Sequence, residues 1–426
     1  MSMASLNCRR RRLMQLYGSR TFRGGRRRAT QDPAVHEART AMPADFGDLS
    51  HQRVGALGFP KDRTPEPRGA ARLPADTVVV SADNHFSVDK DIFYARFPAR
   101  LKDRAPRVWW ENGVCHIGMD GKSFLTERLE MLTPSYELVP GCNEIEPRLR
   151  DLDAEGIDKE IVFPNSILQM MRCMEFEVRE TFFRIYNEYM AEMGALAPGR
   201  FHGVGVLNYW DPARTAASIA EIKALGLKTF FTPLNPGLGA DGQAIDYTSE
   251  QMDPFWGAIA QSGLPLSIHI GENPVATARG GWGTSLMVAL SSFRKIFGDM
   301  MFGGVFDRHP SLRVVFNECG INWVAGMLQD AEFVLGSMAP FHDWKVQREP
   351  RDYWRRHCHT VFITDKLGLD LLDIVGADKV MWSADYPHPE SSFGYNWSSM
   401  QAVADAVPQD QARAILGGTA IEVFGL

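Results

Sequence analysis

The sequence predicts a closed (β/α)8 TIM barrel, an α/β fold with a large insertion after strand one and a flexible N-terminal extension. Three observations predict it: eight short apolar runs, amphipathic segments between them, and polar residues gathered at the C-terminal ends of the runs. The runs occupy 77–82, 160–164, 201–207, 227–232, 265–270, 312–317, 360–364 and 379–383. Each is β-branched or aromatic and apolar on both alternating faces, as in strands buried on two sides of a parallel sheet. Segments 179–196, 212–225 and 322–335 between them carry helical spacing. Strand–helix alternation on this scale favours closure into a barrel. An open doubly wound sheet is the second choice, but no Gly-x-Gly-x-x-Gly follows the first run.

The first run is followed by an interval, 86–150, with no barrel strand. Within it 107–124 reads as a hairpin, with turns at Asn112-Gly113 and Asp120-Gly121. Loops after strand one emerge on the catalytic face of such barrels, so this insertion is expected to cover the pocket. The barrel domain spans 76–426. Before it, 55–75 is rich in Pro, Gly and charge, the composition of a linker. Residues 1–54 form a basic extension that reads as disordered.

Hydrophobic content of 45% and charged content of 23% exclude a wholly disordered chain. The net charge of −6 is unevenly spread: residues 1–40 hold ten Arg and no Lys against Asp32 and Glu37, a local +8. The rest therefore carries −14, which argues against a nucleic-acid partner. No apolar stretch is long enough for a membrane span. The six cysteines show no Cys-x-x-Cys spacing and read as reduced thiols of a cytoplasmic protein, Cys319 as a core thiol.

The chemistry is expected where polar residues interrupt buried strands. Asp83 and His85 close the first run and, two apart, point the same way if the strand continues through them. His269 ends the fifth run, Glu318 the sixth and Asp385 the eighth. Buried carboxylates and imidazoles are costly unless paired or bound to a cation. Asp83, His85, His269 and Asp385 therefore suit one divalent metal, Zn, Mn or Fe, with no nucleotide or organic cofactor. Glu272, Glu318 and His388 could add a second metal or meet substrate. Trp282 and Trp323, with Met170–Met174, are candidate pocket walls or ordinary core. His309, His357 and His359 precede strands and read as structural residues of the opposite face.

In order and spacing, Asp83-x-His85, His269 and 383–388 (SADYPH) resemble the amidohydrolase superfamily. With 146–164 (EPRLRDLDAEGIDKEIVFP) and 303–323, they resemble more narrowly its amidohydrolase-related branch. That branch includes aminocarboxymuconate semialdehyde, γ-resorcylate and 5-carboxyvanillate decarboxylases. The resemblance covers about 76–426. It departs at Asp83, where many members have His, and at Glu318, again in place of His. Glu318 is thus open to three roles: ligand, proton shuttle, or orienting carboxylate.

The resemblance implies a metal-dependent enzyme acting on a small molecule, first a nonoxidative decarboxylase of an aromatic or unsaturated carboxylic acid, with Asp385 as proton donor and Glu318 and His388 beside it. The same ligands would serve a hydrolase of an amide or lactone. A two-metal oxygenase and a non-catalytic metal-binding subunit are further readings. Family habit implies a homodimer, and a hetero-oligomer stays open.

Overall fold

The computed structural model describes residues 58–426 except 68, 70, 89, 113, 125–138, 166, 168–169, 172, 272–277 and 290. All lie in the compact unit Asp48–Leu426. The expectations for residues 1–54 and for Glu272 fall outside the described residues.

In chain order the strands are β1 Val80–Phe86, β2 Arg107–Glu111, β3 Val114–Met119, β4 Lys122–Ser123, β5 Lys159–Pro164, β6 Phe201–Gly203, β7 Gly205–Val206, β8 Phe230–Phe231, β9 Leu266–His269, β10 Val314–Asn317, β11 Cys358–Phe362 and β12 Val380–Trp382. Pairing is parallel from β1 through β5 to β6, and from β7 through β8, β9, β10 and β11 to β12. Two seams join these arcs into a ring. At Val204 the strand kinks: Val204 N donates to Val162 O (2.9 Å) on one side, and Gly205 N to Thr229 O (3.0 Å) on the other. Just beyond β12, Asp385 N donates to Asp83 O (2.9 Å) and His85 N to Tyr386 O (2.7 Å). Each apolar run of the sequence thus supplies one stave, the third split in two. The strands are buried almost throughout, as double-sided coverage requires.

β1 begins later and runs further than its apolar residues suggest. Its pairing with β5 continues to Phe86 opposite Pro164, with a register irregularity between Ser81 and Asn84. Asp83 and His85 are therefore inside the strand, and alternation sends Asn84 to the other side.

The interval after β1 holds the expected hairpin, extended to three antiparallel strands β2–β3–β4. Asn112 (φ 53°) and the Asp120-Gly121 pair (φ 53° and 71°) take the left-handed conformations such turns need. Its inner face buries Val108, Cys115 and Ile117. No described helix is long and apolar enough to cross a membrane.

Candidate metal centre at the barrel mouth

Four staves deliver polar side chains to one end of the barrel. Asp83 and His85 come from β1, and His269 from the last position of β9. Glu318 follows β10, and Asp385 follows β12 by three residues. Both Glu318 and Asp385 have φ 56°, a left-handed backbone uncommon outside glycine. The surroundings fix it. Ala384 N donates to Ser81 Oγ and Tyr386 N to Asn84 Oδ1 (both 2.9 Å), while Cys319 N and Gly320 N face Val361 O. Strain held this way turns a carboxylate back over the strand end.

The groups converge closely. His85 Nε2 lies 3.6 Å from Asp83 Oδ1 and 3.2 Å from Asp385 Oδ1. His269 Nε2 lies 3.4 Å from both Asp83 Oδ1 and Glu318 Oε2. His388 Nδ1 is 3.1 Å from Asp385 Oδ1. Two sets of potential ligands result, Asp83–His85–His269 and His85–Glu318–Asp385–His388, with His85 common to both. Asp83 and Asp385 are fully buried, yet all four of their carboxylate oxygens lack a hydrogen bond, as do His85 Nε2 and His269 Nε2. Burying such groups unsatisfied costs several kcal/mol each (about 1–3 even for neutral groups). Bonds of about 2.0–2.2 Å to one cation would place neighbouring ligands roughly 3 Å apart, close to the separations seen. The residues fit a divalent metal.

The electrostatics agree. Burial pushes Glu318 well above the usual carboxyl range, and the nearby Asp385 pushes it further. Burial lowers His85, helped by His388. For His269 and His388, burial is outweighed by the carboxylates: Asp83 and Glu318 raise His269 to about 9, and Asp385, Glu390 and Glu318 raise His388 to about 10.

Two partners fix which ring nitrogen faces the site. His269 Nδ1 donates to Ile270 O (2.7 Å), leaving Nε2 for a cation. His388 Nε2 meets Asn165 Oδ1 at 2.9 Å, and the Asn165 amide nitrogen donates to Ser87 Oγ at 3.1 Å. The Asn165 oxygen must therefore accept from Nε2, which turns Nδ1 toward Asp385.

Behind Asp83 and His85 lies a second charged cluster. Arg148, fully buried, donates to both Glu160 oxygens (2.7 and 2.8 Å), to His85 O and to Gly141 O (2.9 Å each). Asn84 Nδ2 donates to Glu160 Oε2 at 2.6 Å, and Asn84 Oδ1 accepts from Ser81 Oγ and Tyr386 N. This network fixes the backbone of His85 and the first residue after Asp385.

The remaining candidates sort by place. Trp323 packs in a ring cluster with Phe293, Phe316 and Trp354 and donates to Gly320 O. Trp282 is half-buried on the helix Gly281–Ala289. Met170 and Met171 are buried and Met174 half exposed. Cys319 lies in the core against Thr360 Oγ1 (3.1 Å), its thiol pushed up to about 12 by burial. His357 bonds Leu312 O, and His309 faces Asp253. Sequence reasoning missed Asn165, Arg148, Glu160 and Glu390, whose carboxyl meets Glu318. For Asn165 the signal was present: it follows β5 directly, a polar residue ending a buried strand.

The sequence profile of the amidohydrolase family matches residues 82–426. The γ-resorcylate decarboxylase of a Polaromonas species is 25% identical over 321 residues, covering 68% of this chain and 94% of that one. Among solved structures, an amidohydrolase of Mycobacterium avium subsp. paratuberculosis superposes with TM-score 0.66 at 17% identity, covering 82% of this chain and all of that one. The 5-carboxyvanillate decarboxylase of Novosphingobium aromaticivorans, solved with manganese and 4-hydroxy-3-methoxy-5-nitrobenzoic acid, gives 0.59 at 18%, covering 82% and 97%.

Proposed function

We propose that this chain, which belongs to the amidohydrolase family, is a metal-dependent enzyme that removes the carboxylate of a small aromatic acid without oxidation. The observation that carries the reading is the set of unsatisfied buried oxygens and nitrogens on Asp83, His85, His269 and Asp385. The reading also draws on relatives named as decarboxylases of aromatic acids. Asp83, His85, His269 and Asp385 would hold one divalent ion, Mn or Zn. His85 Nε2 faces both Asp83 and Asp385, and its single lone pair serves one cation. Bound there, the ion would draw in the acid's carboxylate and a neighbouring oxygen and stabilise charge on them.

The protein's own residues then manage one proton. The carbon–carbon bond to the carboxylate breaks, its electron pair stays on the ring carbon, and a proton must reach that carbon as carbon dioxide leaves. Asp385 delivers it. His388, as the imidazolium, keeps Nε2–H on Asn165 and gives its Nδ1 proton to Asp385 at 3.1 Å, leaving neutral imidazole until solvent reprotonates it. Ile270 O orients His269 through Nδ1, while Glu318, 3.4 Å from His269 Nε2, keeps a carboxyl at the edge of the pocket. In this reading the insertion 86–150 covers the pocket. Five free cysteines among the described residues support a reducing, cytoplasmic setting, and a homodimer completes the reading.

The test is a panel of hydroxybenzoic acids given to manganese-loaded protein, with released carbon dioxide and the ring product quantified. Stoichiometric carbon dioxide with a proton in place of the carboxylate is expected. Turnover of amides or lactones to a water-cleaved product, with no carbon dioxide from any acid, would overturn the reading.

A further inference from the structure

The segment before the barrel touches the catalytic face. Arg63, inside the stretch with linker composition, gives its guanidinium to the loop that follows β12. Nη2 donates to Pro389 O (2.6 Å), and Nη1 to Ser391 O (2.8 Å), Phe393 O (3.2 Å) and Ser391 Oγ (3.3 Å). These acceptors flank Glu390 on both sides. Nε is spent within the segment, on Gly58 O (3.1 Å). Three residues on, Glu66 accepts from Ser398 N (2.8 Å) and Ser398 Oγ (2.6 Å), in the first turn of the helix Asn396–Ala406. Arg72 N adds a contact to Gln401 Oε1 at 2.6 Å.

The loop is shaped to receive this strap. Gly394 has φ 81°, and a Cβ there would lie 3.2 Å from Arg63 Cβ and 3.3 Å from Thr64 O. Its N–H donates to Glu155 Oε1 (3.1 Å). Burial lowers the pKa of the Arg63 guanidinium, opposed by the carboxylates of Glu390 and Glu155. The strap precedes residue 82, where the family match begins.

We infer that residues 58–67 are a built-in strap and that Arg63 is a positioning residue, fixing the loop that carries His388 and Glu390 over the metal centre. Arg suits the task because its planar fork reaches several carbonyls at once, which a lysine ammonium on a flexible stem does not reproduce. For its catalytic consequence the inference rests on the function proposed above; the mechanical part does not.

The experiment compares the full-length protein with Arg63→Ala, Arg63→Lys and Glu66→Ala. It reads hydrogen exchange of peptides covering 386–398 in the metal-free and manganese-loaded protein, and kcat and KM separately. For Arg63→Ala, exchange at least about tenfold faster within 386–398, with β9 and β10 unchanged, is expected. A fall in kcat of about 10-fold or more should accompany it, KM moving less and Arg63→Lys recovering only part. Glu66→Ala should loosen 396–398 chiefly. Unchanged exchange in 386–398, or a uniform rise throughout the barrel, overturns the strap. Local loosening with unchanged kcat overturns its role in the site. If the parent protein decarboxylates nothing, the exchange data still decide the mechanical claim, separating its failure from that of the proposed reaction.

Discussion

Two charged clusters lie on opposite sides of β1, one residue apart in sequence. On one side, Asn84, Glu160 and Arg148 are buried with their hydrogen bonds exchanged among themselves and nearby carbonyls. On the other, Asp83 and His85 are equally buried with their oxygens and Nε2 left open. Burial is alike on the two sides; satisfaction differs. A closed network stabilises and positions, whereas an open one is unstable alone and awaits something from outside. Buried charge is therefore a poor marker of function, and buried charge without a partner a good one.

Breaking the closed cluster should give the largest effect. Arg148→Ala leaves Glu160 buried and uncompensated, a loss of about 3–5 kcal/mol. We expect sharply reduced folded yield and a denaturant midpoint well below that of the parent. A variant as stable as the parent would erase the distinction between the clusters. The open cluster should respond in the opposite sense. Asp83→Asn removes a buried carboxylate whose two oxygens lack a hydrogen bond. Bound manganese, measured by elemental analysis, should fall below stoichiometry and activity by about 100-fold or more, while the metal-free Tm stays level or rises. His269→Ala should likewise lose metal while keeping the fold. A metal-free Tm for Asp83→Asn as depressed as that of Arg148→Ala would make the mouth merely structural.

Glu155 sharpens the comparison because it belongs half to each regime. One oxygen accepts from Gly394 N, while the other is buried without a partner. Burial raises its carboxyl from 4.5 to about 8. A raised folded value contributes stability in full below about pH 4.5 and loses it as pH climbs through about 8. Glu155→Gln, neutral throughout, should match the parent in acid and exceed its Tm by a few degrees above pH 8. Melting curves across that window check the sign; a variant less stable at pH 9 contradicts it.

The staves were legible because burial on both faces writes an unbroken apolar run, and Asp83, His85, His269, Glu318 and Asp385 because each interrupts or ends one. The family resemblance read from those residues agrees with the profile match over 82–426. The rest was hidden for a physical reason. Arg148 meets Glu160 across twelve positions and Arg63 meets Ser391 across 328, and neither partner carries a periodic signal. Arg63 in particular lies in a Pro-rich stretch whose composition says nothing of what it touches. The start of β1 was misplaced because its apolar residues begin at Thr77, whereas ladder pairing begins at Val80 and continues through the polar ones.

The opposite chemistries on the two sides of β1 also constrain how the chain can misfold. A slip of one residue would bring Asn84 into the lumen and press Asp83 or His85 against the Arg148 side, forfeiting the guanidinium's network and the proposed metal ligands together. Each cluster thereby proofreads the alignment of the other. Assembly of the strand is checked before any substrate arrives.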